Sequence, residues 1–206
     1  MIEAAARLPS PFMASILLVC TGNVCRSPIA EGMLRQGLSR RLGASAPEVS
    51  SAGTSGWEGS PPVPESVQAA AERGIDISSH VARRLTPSML ESAEVVVCMA
   101  RDHLDEVVLM RPQSAPTTFT LKELVRLLEE DKAELQNADL ATRVDSAEAL
   151  RREGFMGQPL DQDIADPLGL PLESFRAVAW EVEAWCGRLA EDLGGPLSMT
   201  AVQGKA

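Results

Sequence analysis

One segment near the start of the chain constrains the fold more than any other feature, because it joins a buried strand directly to a tight loop and a helix. Ser15–Cys20 is a short apolar run of the kind found in strands that are buried on both faces of a parallel sheet. Gly22 follows at once, and Ser27 and Pro28 suit the N-cap and the first position of a helix. Apolar residues then recur with helical spacing. The segment therefore predicts a strand, a tight loop and a helix in succession.

The same alternation of strands and helices continues along the chain. Further strands are expected at 49–53, 94–99 and 117–121, and further helices at 65–73, 101–109, 122–128 and 171–193. Such alternation predicts a parallel sheet with helices on both faces. In sheets of this kind a ligand binds beyond the carboxyl ends of the strands. The loop after the first strand, Cys20–Arg26, is expected at that edge.

The length of 206 residues fits one domain. We expect a flexible leader at 1–13, a single folded domain at 14–196 and a disordered tail at 197–206. Residues 129–160 are charged and rich in alanine, and their amphipathicity is weak. They are expected to form either a helical insertion or a mobile excursion from the domain.

Charge and cysteine content exclude several classes of protein. The 19 basic and 29 acidic residues give a net charge of −10, which argues against nonspecific binding of nucleic acid or anionic membranes. The four cysteines and two histidines show no zinc-ligand spacing, so no metal or cofactor is expected. The first residues have no positively charged region before a long apolar run, so no signal peptide is expected, and no run of 18 apolar residues occurs. These features predict a cytoplasmic protein that does not insert into membranes.

The loop itself carries the strongest chemical indication, because Cys20 and Arg26 are separated by five residues between a strand and a helix. A loop that curls into a helix N-terminus points several backbone N–H groups at one place, where the helix dipole adds positive potential. Arg26 can add a planar pair of donors to two phosphate oxygens. The same donors stabilise a thiolate at Cys20, which can attack phosphorus and form a phosphocysteine.

These residues resemble a known signature. Val19–Glu31 has the sequence VCTGNVCRSPIAE, which is similar over thirteen positions to the V-C-x-G-N-x-C-R-S-P-x-A-E signature of bacterial low-molecular-weight protein-tyrosine phosphatases. Ser51–Trp57, Gly74–Arg83 and Asp166-Pro167 resemble later segments of the same family. The resemblance covers roughly residues 15–128 and 160–193. It implies a flavodoxin-like, three-layer fold with four parallel strands and a two-step, metal-free hydrolysis of phosphomonoesters.

The resemblance also implies roles for individual residues. Cys20 corresponds to the nucleophile, Arg26 to the phosphate clamp and Asp166 to the general acid, although Asp161 and Asp163 are competing candidates nearby. His80 is expected to support the loop through Asn23, and Cys25 resembles a second loop cysteine that pairs with Cys20 under oxidation. Cys98 and Cys186 are expected in the core. The remaining residues expected to bind phosphate or substrate, or to support the loop, are Thr21, Gly22, Asn23, Val24, Ser27, Trp57 and Ser51.

Three features bear on the substrate. Val24 in the loop and Trp57 beside it favour phosphotyrosine, because they resemble the apolar wall of tyrosine-directed members of the family. Leu168 and the Asp-Pro-x-Gly pattern starting at Asp166 resemble instead the arginine-phosphatase branch. Phosphotyrosine on a protein or peptide is the favoured substrate, carried by a substrate of a tyrosine kinase or by the kinase itself. We expect a monomer or a weak dimer.

Two other functions fit the same scaffold. A thiol-dependent arsenate reductase normally needs further cysteines after the strand that carries Cys98, and residues 99–115 contain none. A relay through a small thiol is still compatible with the sequence. A catalytically inactive phosphate-binding protein is the non-enzymatic alternative, and the presence of Cys20, Arg26 and Asp166 argues against it.

Overall fold

The computed structural model describes residues 14–155 and 161–195, which form one four-stranded sheet and seven α-helices. The strands are β1 (Ser15–Cys20), β2 (Glu48–Gly53), β3 (Val95–Cys98) and β4 (Thr118–Thr120). The helices are α1 (Arg26–Leu42), α2 (Pro64–Ala71), α3 (Pro87–Ser92), α4 (Arg101–Met110), α5 (Leu121–Glu130), α6 (Leu140–Arg152) and α7 (Leu172–Gly194).

All strand pairs are parallel, and the strand order is β2-β1-β3-β4. The chain therefore places β2 on one side of β1 and then returns to place β3 and β4 on the other side. The carboxyl ends of β1 and β3 flank this change of direction, which is where ligands bind in open α/β sheets. The topology confirms the predicted flavodoxin-like fold.

The side chains of β1 alternate between two hydrophobic cores on opposite faces of the sheet. Ile16 and Leu18 pack with apolar residues of α1, α5, α6 and α7. Leu17 and Val19 pack on the other face with apolar residues of α3 and α4. Because a strand buried on both faces must be apolar at every position, the continuous apolar run of β1 follows from this three-layer arrangement.

Local differences from the sequence-based expectations concern the ends of elements. Helix α1 begins at Arg26 with Cys25 at the N-cap position and no side-chain cap, so the prediction that Ser27 caps this helix was wrong. The Ser27 hydroxyl is instead hydrogen-bonded within the loop. Helix α3 was not predicted from the sequence, and Thr86 caps it by accepting from the Met89 backbone.

Helix α6 lies within the stretch 129–160, for which a helical insertion and a mobile excursion were both left open. Its side chains Leu140, Val144 and Ala147 are buried in the same core as α5 and α7. The predicted leader at 1–13 and the predicted tail at 197–206 lie outside the described residues. Within the described ranges, no helix is long and apolar enough to cross a membrane.

Candidate active site

The loop between β1 and α1 is held from outside through its carbonyl groups. Six carbonyl groups of the loop accept hydrogen bonds. Five of them accept from backbone N–H groups, which belong to residues 54–57, Val63 and Ile29, and the sixth accepts from the His80 ring. The carbonyls that accept are those of Cys20, Thr21, Gly22, Asn23, Val24 and Cys25. Because the C=O and N–H of a trans peptide point in opposite directions, the N–H groups of the same loop face its centre. The loop therefore forms a nest of N–H groups that can bind an anion.

Gly53 and Asn23 make this conformation possible. A Cβ atom on Gly53 would lie 2.6 Å from the Thr21 carbonyl oxygen, so the end of β2 can approach the loop only with glycine there. Asn23 has a φ of 59°, and it is the one non-glycine residue with positive φ in the described part of the chain. Asparagine tolerates this left-handed conformation better than most residues because its side chain can hydrogen-bond locally.

The Asn23 amide organises the hydroxyl groups around Cys20. Its Nδ2 donates to Ser27 Oγ at 2.9 Å and to Ser51 Oγ at 2.8 Å, while its Oδ1 accepts from the Arg83 backbone N–H. Since Ser27 Oγ accepts from Asn23, its own hydrogen is free to point at Cys20 Sγ, which lies 2.9 Å away. Ser27 is thus placed to stabilise negative charge on that sulfur.

Arg26 is buried at the mouth of the loop and is held by three groups. Its guanidinium donates to the Ile164 carbonyl at 3.1 Å, to Thr21 Oγ1 at 3.2 Å and to Asp166 Oδ2 at 2.7 Å. Its Nε is buried without a partner among the described residues. An unpaired buried donor is costly unless a ligand accepts from it, so this group fits the binding of a phosphate oxygen.

The three aspartates that compete for the general-acid position lie in different places. Asp161 forms an ion pair with Lys122, and Asp163 accepts from the Arg101 backbone N–H. Of the three, Asp166 is the one that forms an ion pair with Arg26, and its side chain is partly exposed. Its other oxygen accepts from the Leu168 N–H at 3.2 Å, which fixes the turn after it. The geometry therefore favours Asp166 as the acid that faces a bound phosphate ester.

Two histidines support the loop from opposite sides. Nε2 of His80 lies 3.0 Å from the Asn23 carbonyl, and its Nδ1 lies 3.8 Å from Glu31. Burial lowers the pKa of His80, although the Glu31 carboxylate partly offsets this. A neutral ring with its hydrogen on Nε2 can donate to the Asn23 carbonyl.

His103 is a site residue that the sequence analysis missed. It is buried on α4, and its Nε2 lies 2.9 Å from Thr21 Oγ1, the same oxygen that accepts from Arg26. Burial, with a further contribution from the Arg26 charge, lowers the pKa of His103 from 6.5 to about 4. The one available indication was positional: His103 follows the strand that ends beside the loop, at the carboxyl edge of the sheet.

Burial keeps the other three cysteines in the thiol form. Burial raises the pKa of the Cys25 thiol to about 11 and that of Cys186 to about 12, and it also raises the pKa of Cys98. These three groups are therefore thiols at neutral pH. Cys98 and Cys186 are fully buried among apolar residues, as expected for core positions.

The rim of the site is apolar on the side of Trp57. This side chain is 47% exposed, and its ring would lie 3.8 Å from a Cβ atom placed on Gly22. Val24 is buried in the loop below it. Leu168 and Leu170, which follow Asp166, are also exposed. The site thus combines a polar nest with apolar side chains on the loops that surround it.

A doubly wound α/β domain whose first strand ends in a loop of inward-facing N–H groups bearing Cys20 and Arg26 defines the class of small cysteine-containing phosphatases. Comparison with known proteins agrees, since residues 15–151 match the family model described as low molecular weight phosphotyrosine protein phosphatase. The chain belongs to this family and is a hydrolase. Within the described residues, no three metal-ligating side chains cluster together.

Relatives of the chain carry two kinds of name. It is 39% identical over 110 residues to a probable low molecular weight protein-tyrosine-phosphatase, EpsP, of Ralstonia solanacearum, covering 53% of this chain and 72% of EpsP. It is 33% identical over 178 residues to a protein-arginine-phosphatase of Geobacillus stearothermophilus, covering 86% and 95% of the two chains. A crystal structure of a low molecular weight protein tyrosine phosphatase from T. tengcongensis is 34% identical, with a TM-score of 0.66 over 87% of this chain and 99% of that one.

Proposed function

We propose that the chain hydrolyses phosphotyrosine in proteins through a phosphocysteine formed on Cys20. The observation that carries this proposal is the placement of Cys20 Sγ at the phosphate loop, 2.9 Å from the Ser27 hydroxyl, together with Arg26 and Asp166 at the mouth. A nucleophile, a cationic clamp and a proton donor thereby surround one position that a phosphate can occupy.

In the first step the Cys20 thiolate attacks phosphorus. A P–S bond forms while the bond from phosphorus to the tyrosine oxygen breaks, and Asp166 gives its proton to the departing oxygen. The inward N–H groups of the loop and the Arg26 guanidinium stabilise the charge on the equatorial oxygens. When phosphate enters, Arg26 exchanges its contact with Asp166 for contacts with phosphate oxygens, which leaves the carboxyl group free for proton transfer.

In the second step water attacks the phosphocysteine. Asp166, now a carboxylate, accepts a proton from the water, and the P–S bond breaks to release inorganic phosphate. The Cys20 sulfur leaves as a thiolate, which the Ser27 hydroxyl stabilises by donating a hydrogen bond. This role is open to Ser27 because Asn23 donates to the same oxygen and so directs its hydrogen toward sulfur.

The apolar surroundings favour phosphotyrosine as the substrate. A tyrosine ring that enters the site can contact the exposed Trp57, and an aromatic pair contributes about 0.5–1.5 kcal/mol beyond the burial of its area. Val24 has no hydroxyl with which to pair a guanidinium N–H. An N–H buried without a partner costs about 1–3 kcal/mol, so this position disfavours phosphoarginine. The proposed partners are tyrosine-phosphorylated proteins, including tyrosine kinases that carry phosphotyrosine themselves.

Phosphoarginine is the second candidate substrate, and one finding favours it. The protein-arginine-phosphatase of Geobacillus stearothermophilus aligns with a larger share of this chain than EpsP does. The Asp-Pro-x-Gly pattern at Asp166–Gly169 points in the same direction.

The test compares kcat/KM for peptides that carry phosphotyrosine or phosphoarginine at the same position, with arsenate reduction as a third activity. We expect faster hydrolysis of phosphotyrosine and no thiol-dependent reduction of arsenate.

Val24→Thr should raise phosphoarginine activity relative to phosphotyrosine, because threonine supplies the missing hydroxyl. Trp57→Ala should weaken phosphotyrosyl-peptide hydrolysis mainly through KM, whereas Trp180→Ala, which removes an exposed tryptophan from α7, should leave it unchanged. The phosphotyrosine assignment would be contradicted if the wild type had the higher kcat/KM for phosphoarginine and if Trp57→Ala left phosphotyrosine hydrolysis unchanged.

A further inference from the structure

The segment that carries Asp166 is hydrogen-bonded to the rest of the domain through Asp163. Helix α4 has Ala100 at its N-cap position and therefore no side-chain cap of its own. Asp163 Oδ1 accepts from the Arg101 backbone N–H, the first of this helix, at 2.8 Å. A cap normally comes from the residue that precedes the helix. Here the carboxylate is supplied from a segment more than sixty residues away in sequence.

The next residue, Ile164, continues the attachment toward the active site. Its N–H donates to the Met99 carbonyl at 2.7 Å, and its carbonyl accepts from Arg26 at 3.1 Å. Asp163 and Ile164 therefore join the carboxyl end of β3 to the guanidinium that meets Asp166. Only Ala165 separates this attachment from Asp166 itself.

A second anchor lies at the start of the same segment. Lys122 is 2% exposed, and its Nζ is 2.6 Å from both Asp161 and Glu181. A buried ammonium group needs such partners, because its desolvation without them is costly. Lys122 thus fixes Asp161 between α5 and α7, and the Arg126 guanidinium donates to the Asp161 carbonyl at 2.9 Å.

We propose that Asp163 is a positioning residue for the general acid: by capping α4 it fixes the segment that presents Asp166 to the leaving oxygen, with the Lys122–Asp161 pair as a second anchor. The inference rests on the proposed function of Asp166. Two of the three aspartates that compete for the catalytic role are therefore supports for the third. The reaction rate depends strongly on the position of the acid, since a displacement of about 1 Å can reduce a rate on the order of a hundredfold.

The chemistry of helix caps supplies a matched pair of variants. Asparagine caps a helix about as well as aspartate, whereas alanine does not. Asp163→Ala should therefore lower kcat/KM, which reports the first step, about ten- to a hundredfold for phosphate esters with poor leaving groups, because these need a proton in that step. It should change much less for esters with good leaving groups. Asp163→Asn should retain most of the wild-type rate with both kinds of ester, and inhibition by vanadate should be unaltered in both variants.

A double variant separates positioning from a general loss of structure. In the Asp166→Asn background there is no acid left to position, so adding Asp163→Ala should cost little further with poor leaving groups. Equal losses of kcat/KM with good and poor leaving groups, or full additivity with Asp166→Asn, would overturn the proposal. If Asp163→Ala does not fold, Asp161→Asn can be measured in the same way. Asp161 is exposed, and its substitution weakens the second anchor while the ion pair between Lys122 and Glu181 remains. Turnover that survives Cys20→Ala would instead contradict the proposed function itself, whatever Asp163 does.

Discussion

Asn23 shows why the residues of the loop cannot be replaced one at a time. Its left-handed backbone turns the loop, and its amide holds Ser27, Ser51 and the Arg83 N–H at once. The orientation of the Ser27 hydroxyl toward Cys20 depends on that amide. The reactivity proposed for one sulfur atom is therefore a property of several buried polar groups that satisfy one another, as such networks must.

The buried His103 gives the protein a specific sensitivity to acid. Its pKa is about 4 in the folded protein and 6.5 in an unfolded chain, so the unfolded state binds the extra proton between these values. Stability is present above pH 6.5 and is lost as the pH falls toward 4. Each pH unit is worth about 1.4 kcal/mol, so the loss from this group is at most about 3 kcal/mol.

Urea denaturation of the wild type and of His103→Gln between pH 7 and pH 4 measures this loss. The variant, which cannot take up the proton, should lose less unfolding free energy over the range. Some dependence will remain, because burial also lowers the pKa of His80. Identical curves for the two proteins would show that His103 is not buried as a neutral ring.

Candidate site residues that lie close together in the sequence could be identified from the sequence alone. Cys20, Arg26 and Ser27 were found because strand, loop and helix follow one another within a few positions, and Asp166 was found through the resemblance of its motif. His103 and Lys122 were not, because their partners Thr21, Asp161 and Glu181 are distant in sequence. A lone histidine or lysine in a helix gives no indication that its environment is buried and polar.

Among the elements, the boundaries of α1 and the packing of α6 depended most on tertiary contacts. Ser27 is a residue type that favours the N-cap position, yet the N-cap of α1 is Cys25, two residues earlier, and the Ser27 hydroxyl is hydrogen-bonded to Cys20 instead. The sequence of α6 is only weakly amphipathic, so its core-facing side could not be identified. The structure buries Leu140, Val144 and Ala147 against the domain.

Val144→Ala tests whether α6 is an integral part of the domain. Val144 is 2% exposed, and removing two buried methyl groups should lower the free energy of unfolding by roughly 2 kcal/mol. Val81→Ala is the matched control, because Val81 is 57% exposed and surface changes usually stay within about 0.5 kcal/mol. Chemical denaturation measures both. Equal stability of the two variants would mean that α6 does not contribute to the core.

For the molecule as a whole, the fold concentrates attraction for an anion at one place. The chain carries a net charge of −10, so its overall field repels phosphate esters. The loop after β1, the segment after β2, the start of α4 and the Asp166 segment nevertheless converge at the carboxyl edge of the sheet, where backbone N–H groups and Arg26 face inward. Affinity for phosphate is therefore expected from local geometry, and the fold supplies that geometry by its strand order.

The most direct test of the proposed mechanism is the isolation of the covalent intermediate. Asp166→Asn should still be phosphorylated by an aryl phosphate with a good leaving group, but it lacks the base for the second step, so phosphocysteine should accumulate. Rapid acid quenching, digestion and mass spectrometry should find one phosphoryl group on the peptide that contains Cys20, and none when Cys20→Ala is added. Turnover without any protein-bound phosphoryl group, or a phosphoryl group on another residue, would contradict the account.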